Sequence, residues 1–285
     1  MAGGAAGPPP GRPGSLLTTR RRRSPPASQL ELSPSGPPPP RLAWAGPFQP
    51  TLEAAWQATL TRWRAADPLG AVWLLVPSRF LGLHLTRLAA RASGAVNVHV
   101  LTFTDLAERL GPEGPPARRL PQPGDLLLIR QALREAVPPD GYFAAVREAR
   151  RFPAALASTL AELRTAGVGP RDLEQAAEGA RHPGSAAKLR ELARLVERAG
   201  AALAAAGFAH PTDALWAAAA RLREGGLVAG CAGLAAYGFT DWNAAERALL
   251  GELSARVPTA CMVPAEPGPP FEALEALLEW LVSRG

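Results

Sequence analysis

Two short stretches hold residues whose types and spacing could do binding chemistry: Ser78-Arg79 and Thr102-Phe103-Thr104. A hydroxyl, a guanidinium and an aromatic ring can together hold a phosphate and stack a base, as single-strand binders require. Each stretch also has a plainer reading, with Arg79 as an exposed helix start and Phe103 as core packing. A third stretch, Gly46-Pro47-Phe48-Gln49-Pro50-Thr51, sits where a strand would turn into a helix. A phosphate-cradling loop at such a turn needs glycines and a Gly-Lys-Ser/Thr ending. This one has no lysine and no second glycine, and its two prolines remove N–H donors. Lys188, far along the chain, is the only lysine. No ATPase activity is expected.

The elements that must position these residues are legible from periodicity. Ala71–Val76 is a continuous apolar run, which suits a strand buried on both faces. Leu81, Leu85 and Leu88 then recur at helical spacing. Val96, Val98 and Val100 alternate with Asn97 and His99, predicting a second strand. Thr102-Phe103-Thr104 turns the chain, and Asp105 with Glu108 has the spacing of a capping box at the next helix. Strand, crossover helix and strand make a parallel βαβ unit. Ligands of such sheets meet the loops at the carboxyl ends of the strands, here Pro77-Ser78-Arg79 and Thr102-Phe103-Thr104.

Upstream, Arg41–Ala45 is a weak strand candidate, and Leu52, Trp56, Leu60 and Trp63 stripe a helix. Downstream, Arg109–Gly124 is a Pro/Gly-rich linker. Asp125 to Arg223 is helical throughout, including a short helix from Tyr142 to Arg151, a helix opened by Pro153 and ended at Gly167, a long one over Ser185–Ala206, and one begun by Pro211-Thr212. Gly233–Phe239 and Thr259–Val263 return to strand, with a helix capped by Asn243 and Glu246 between them. A last helix runs from Phe271 to Arg284.

Other chemistry is poorly supported. Cys231 and Cys261 lack metal-ligand spacing and read as buried thiols in a reducing compartment. His84, His99, His182 and His210 do not cluster, and no metal or other cofactor is expected. The seven aspartates show no paired set at nuclease spacing. No apolar run approaches the ~20 residues that span a bilayer. The net charge of +6 is concentrated in residues 1–50, which hold six arginines and one glutamate; residues 51–285 carry 25 basic and 24 acidic side chains. The part able to fold is therefore nearly neutral, which argues against strong non-specific phosphate binding. Residues 1–40 are Pro, Gly, Ser and Arg without periodicity and are expected to be disordered. The cluster Arg20–Arg23 reads as part of this solvated tail, or as an electrostatic DNA tether.

VPSRF with its leucine-striped helix, followed about two dozen residues on by VHVLTFTDLAERL, resembles the "lvPsr" and "TFxxla" motifs of superfamily 1 helicases. The patterns ELRTAGVGPRDLEQ and GFTDWNAAERALLGEL resemble the B subunit of AddAB/RexAB-type helicase–nucleases, a family whose N-terminal half is a helicase-like module without ATPase. The resemblance covers roughly residues 41–285. It implies an α/β, RecA-like (P-loop NTPase-like) parallel sheet remnant with a large helical insertion: residues 41–112 as its first part, 113–228 as the insertion and 229–285 as the sheet continued and truncated. Gly46, Pro47 and Thr51 become a degenerate nucleotide loop. Where an active helicase ends a strand in Asp-Glu to hold magnesium, this chain has Tyr237-Gly238-Phe239-Thr240-Asp241-Trp242, and Asp241 alone does not restore a metal site.

By motif match, Ser78, Arg79, Thr102, Phe103 and Thr104 are single-stranded DNA contacts. The implied role is a non-catalytic scaffold in cytoplasmic double-strand break repair and recombination. A helicase–nuclease A-type partner subunit would supply the motor, and a nuclease domain would lie further along than residue 285. The alternative is a protein–protein docking module, or a truncated fragment, without DNA contact. No membrane association is implied.

Overall fold

The computed structural model describes Met1 and residues 41–92, 94, 96–111, 124–265 and 275–283. The expected disordered tail, most of the expected linker and the start of the last helix lie outside these residues. The described elements belong to one unit, residues 38–285.

The apolar runs form the strands. β1 (Arg41–Gly46), β2 (Val72–Leu75), β3 (Val98–Leu101), β4 (Gly233–Tyr237) and β5 (Thr259–Pro264) make one sheet in the order β1-β5-β4-β2-β3. Every pairing is parallel. The three central strands are buried along their whole length, as continuous apolar sequence requires. Successive side chains go to opposite faces. Trp73, Leu75, Leu234, Ala236, Cys261 and Val263 join one core with α3 (Phe103–Leu110), α8 (Pro211–Arg223) and α9 (Ala244–Ser254). Val72, Leu74, Val76, Ala235, Tyr237, Ala260 and Met262 join the other, with α1 (Glu53–Ala66) and α2 (Arg79–Ala92). The α1 stripe of Leu52, Trp56, Leu60 and Trp63 is buried as its spacing predicts. The Trp56 indole N–H also donates to the Leu85 carbonyl, 3.2 Å away, tying α1 to α2. A helix-covered parallel sheet of this kind is consistent with a RecA-like α/β fold.

Between β3 and β4 the described chain is mostly helical, but its helices divide between two cores. α4 (Gly124–Ala136), α5 (Phe152–Ala166), α6 (Pro170–Glu178) and α7 (Pro183–Ala205) share a core of their own, built on Ile129, Leu133, Leu156, Leu160, Leu173, Leu192 and Leu195. Although α8 falls within the expected 113–228 block, it packs on the sheet core. α10 (Glu275–Val282) adds Leu277 to that same core.

Three local expectations change. The helix after β3 starts at Phe103, so its capping box is Thr102 with Asp105, not Asp105 with Glu108. The Thr102 hydroxyl accepts from the Asp105 N–H while the Asp105 carboxylate accepts from the Thr102 N–H and hydroxyl, which satisfies the helix end three residues earlier. Tyr142–Arg151 is a series of turns rather than a helix. The N–H groups of Tyr142 and Phe143 are taken by the buried carboxylate of Glu191 on α7, and the backbone bonds that follow run mostly between residues three apart, as in successive turns. Finally, β3 begins at Val98, because Asn97 sits at φ 55 in the turn before it. Asparagine tolerates that conformation, and its amide donates to the Leu69 carbonyl.

Candidate functional site

β2 and β3 are neighbours, so the two loops singled out in the sequence lie side by side at the carboxyl edge of the sheet. Arg79 opens α2, and Ser78 precedes it with its hydroxyl accepting from the Leu81 N–H at 3.4 Å. The Arg79 guanidinium reaches across to the Asp105 carboxylate at 2.5 Å. Asp105 is in turn held by Thr102, so one hydrogen-bonded chain links the two loops. Burial opposes the charge on Asp105, but the Thr102 N–H, the Thr102 hydroxyl and Arg79 together hold its carboxyl below the usual range. Arg79 remains largely exposed, with its side chain 75% accessible. A guanidinium has five N–H donors, so the Asp105 contact leaves others for a ligand.

The remaining predicted residues divide. Thr102 and Thr104 are half-buried at the edge, Thr102 as the N-cap. Phe103 is buried, its ring edge-on to Phe239 at 5.3 Å between centroids. It takes the packing role, and its face is not open to a base. The aromatic side chain that is open is Phe80, 83% exposed, in the first turn of α2 next to Arg79. Its sequence signal was its position off the inward stripe of Leu81, Leu85 and Leu88. The same helix carries Arg79, Arg87 and Arg91, with no acidic residue anywhere in it.

The loop expected to be a degenerate nucleotide loop follows β1. Thr51 packs against Gly46 so closely that a Cβ on Gly46 would lie 2.9 Å from the Thr51 methyl. The N–H of Leu52 donates to Pro47, and that of Glu53 to the carbonyls of Phe48 and Pro50, so both point into the turn. Phe48 projects to the end of β4, where its ring lies 6.1 Å from that of Tyr237. Gly238, at φ 81, completes the contact: a Cβ there would meet Leu81 at 2.7 Å and the Phe48 ring at 3.5 Å. Phe48, Leu81 and Tyr237 thus gather apolar surface around Gly238, at the end of β4. Burial, and secondarily Glu53, keeps the Tyr237 phenol protonated far above its usual range.

No other chemistry gathers nearby. Asp241 accepts from the Trp242 N–H and pairs with Arg247 at 3.2 Å, the local role of a loop carboxylate before a helix. Among the described residues no three His, Cys, Asp or Glu side chains converge to hold a metal. Burial raises the thiols of Cys231 to about 11 and Cys261 to about 12, which leaves both unreactive. Among the described residues no helix is long and apolar enough to cross a membrane.

The protein family described as ADDB, N-terminal, matches residues 58–263, more than two thirds of the chain. The matched span contains both edge loops, the helices between β3 and β4, and the Tyr237–Trp242 segment. No curated protein matches the chain.

Proposed function

The chain belongs to the AddB N-terminal family, the N-terminal domain of an AddB-type DNA-repair helicase–nuclease subunit, and we propose that it is a non-catalytic helicase-like segment that binds single-stranded DNA and scaffolds an A-type motor and nuclease partner. In this reading residues 41–112 and 229–285 form the RecA-like part, residues 113–228 are its helical insertion, and the work is double-strand break processing and recombination in the cytoplasm. The observation that carries the proposal is the pairing of two features on one sheet edge. Phe48, Leu81 and Tyr237 pack together around Gly238 beside the loop after β1, which supports reading that loop as a lost nucleotide site. Beside it, Arg79 and Phe80 stand exposed on a helix with only basic charges.

Arg79 supplies a phosphate contact, steadied by Asp105, and Ser78, Thr102 and Thr104 add hydroxyls along the edge. Phe80 gives a base a ring to stack on, while Phe103 supports the loop from below. Arg87 and Arg91 continue the basic face of α2. A docking module without DNA contact is the second reading, favoured by the near-neutral charge of residues 51–285.

Binding of labelled oligothymidylate to the full chain, followed by fluorescence anisotropy across a salt series, separates the two. The DNA reading predicts salt-sensitive binding that Arg79→Ala with Phe80→Ala weakens at least about tenfold, since stacking alone contributes ~1–3 kcal/mol per base. Absence of binding at low salt, or equal binding by the variant, selects the docking module.

A further inference from the structure

A second basic feature lies away from the sheet edge, in the helical block. A cavity of about 230 Å³ opens between α4 and the turns that lead into α5. Arg130 and Arg134 line it from α4, and Arg147 and Arg150 from the turns. The one carboxylate in the lining is Glu148, which pairs with Arg147 at 3.5 Å and is itself 78% exposed. Among the described residues Arg130, Arg134 and Arg150 have no ion-pair partner.

Several features here favour an anion. Arg130 and Arg134 are four residues apart on one helix, where like charges repel. α5 opens on Arg151 with no side-chain cap and no acidic residue in its first turn, so the positive end of its dipole faces the same region uncompensated. Such a concentration of positive charge is unexpected in a segment, residues 51–285, that is almost neutral overall. The Arg147 guanidinium is also fixed in place by its 3.1 Å bond to the Val137 carbonyl, so part of the lining is preorganised. The volume falls below the ~300–1,000 Å³ of sites that enclose a drug-sized ligand. It suits a single tetrahedral anion, which guanidinium forks bind with paired N–H donors.

We propose that Arg130, Arg134, Arg147 and Arg150 form a phosphate-binding cavity in the helical block, distinct from the sheet edge. Its occupant is a phosphate group, carried by a nucleic-acid strand or by a free phosphate species. The proposal does not depend on the sheet-edge reading.

The test uses the full chain with inorganic phosphate as the probe, titrated calorimetrically at constant ionic strength. Arg130→Ala with Arg134→Ala is the variant, because both side chains are exposed on the outside of α4 and their removal leaves its core residues Ile129 and Leu133 in place. Saturable phosphate binding is expected, at least about tenfold weaker in this variant. Arg130→Lys with Arg134→Lys, which keeps the charge, should fall between the two. A parallel titration with oligothymidylate identifies the source. A shallower salt dependence in the alanine variant assigns a strand phosphate, with a slope reduced by about 0.7 for each phosphate no longer neutralised; an unchanged one assigns a free phosphate species. Absence of saturable phosphate binding, or equal binding by wild type and the alanine variant, overturns the proposal.

Discussion

Asp105 is the residue on which the candidate edge turns, because it serves a helix end and a cation at once. Its carboxyl lies below the usual range in the folded chain, held there by Thr102 and Arg79 against the opposing effect of burial. A depressed pKa contributes stability that is fully present above the unfolded value of ~3.9 and is lost as pH falls through the folded value. Asp105→Asn is therefore expected to lower stability at pH 7 by about 0.5–2 kcal/mol, the worth of a helix cap. The gap from wild type should narrow as the pH drops below ~4, because the wild-type carboxyl then protonates as well. Urea unfolding of both proteins across that range checks this; a gap independent of pH contradicts it. Phe103 and Phe80 carry the complementary lesson. Both aromatics follow a strand and stand in a first helical turn, and a motif match selects Phe103. Burial separates them, since Phe103 meets Phe239 and Phe80 meets solvent.

At the scale of elements, periodicity is a sound guide wherever a stripe meets its own layer. The buried strands, the α1 stripe of Leu52, Trp56, Leu60 and Trp63, the left-handed Gly167 after α5 and the Asn243–Glu246 box are all where their residue types put them. What sequence could not show is contact between distant segments. Tyr142–Arg151 reads as helix from its composition, and nothing local reveals that Glu191, nearly fifty residues later, anchors the start of these turns. The Thr102 cap is hidden in the same way, because Asp105 looks equally like the start of a box and its end. Glu191→Ala removes the acceptor of two backbone N–H groups and is expected to destabilise the helical block by about 1–3 kcal/mol, the cost of stranding buried donors. Hydrogen exchange should rise around residues 141–149 before it rises in the sheet. Unchanged exchange there would mean that the turns hold themselves.

At the scale of the whole molecule, one sheet places Phe48 against Tyr237 beside the loop after β1, while its carboxyl edge and the helices between β3 and β4 expose arginine. The parallel pairing of β2 with β3 was legible as a βαβ unit, but the full strand order was not, because β2 meets β4 and β1 meets β5 only across more than a hundred residues. The missing lysine and the two prolines of the loop after β1 were legible; that Phe48 and Tyr237 pack together beside that loop was not. The full chain is expected to show no magnesium-dependent ATP binding in equilibrium dialysis. Phe48→Ala should not restore it, because the packing of Phe48 is only one of several defects. Saturable binding of ATP by the wild-type chain would contradict the proposed loss of the nucleotide site.

Whether the carboxyl edge beside β2 and β3 meets single-stranded DNA is decided most directly by photocrosslinking. An oligonucleotide carrying 5-bromodeoxyuridine is irradiated with the full chain and the modified peptides are mapped by mass spectrometry. Crosslinks are expected within residues 78–83, centred on Phe80, and Phe80→Ala should remove them. Crosslinks confined to the arginine-rich residues 1–40, or none at all, would contradict DNA binding at this edge.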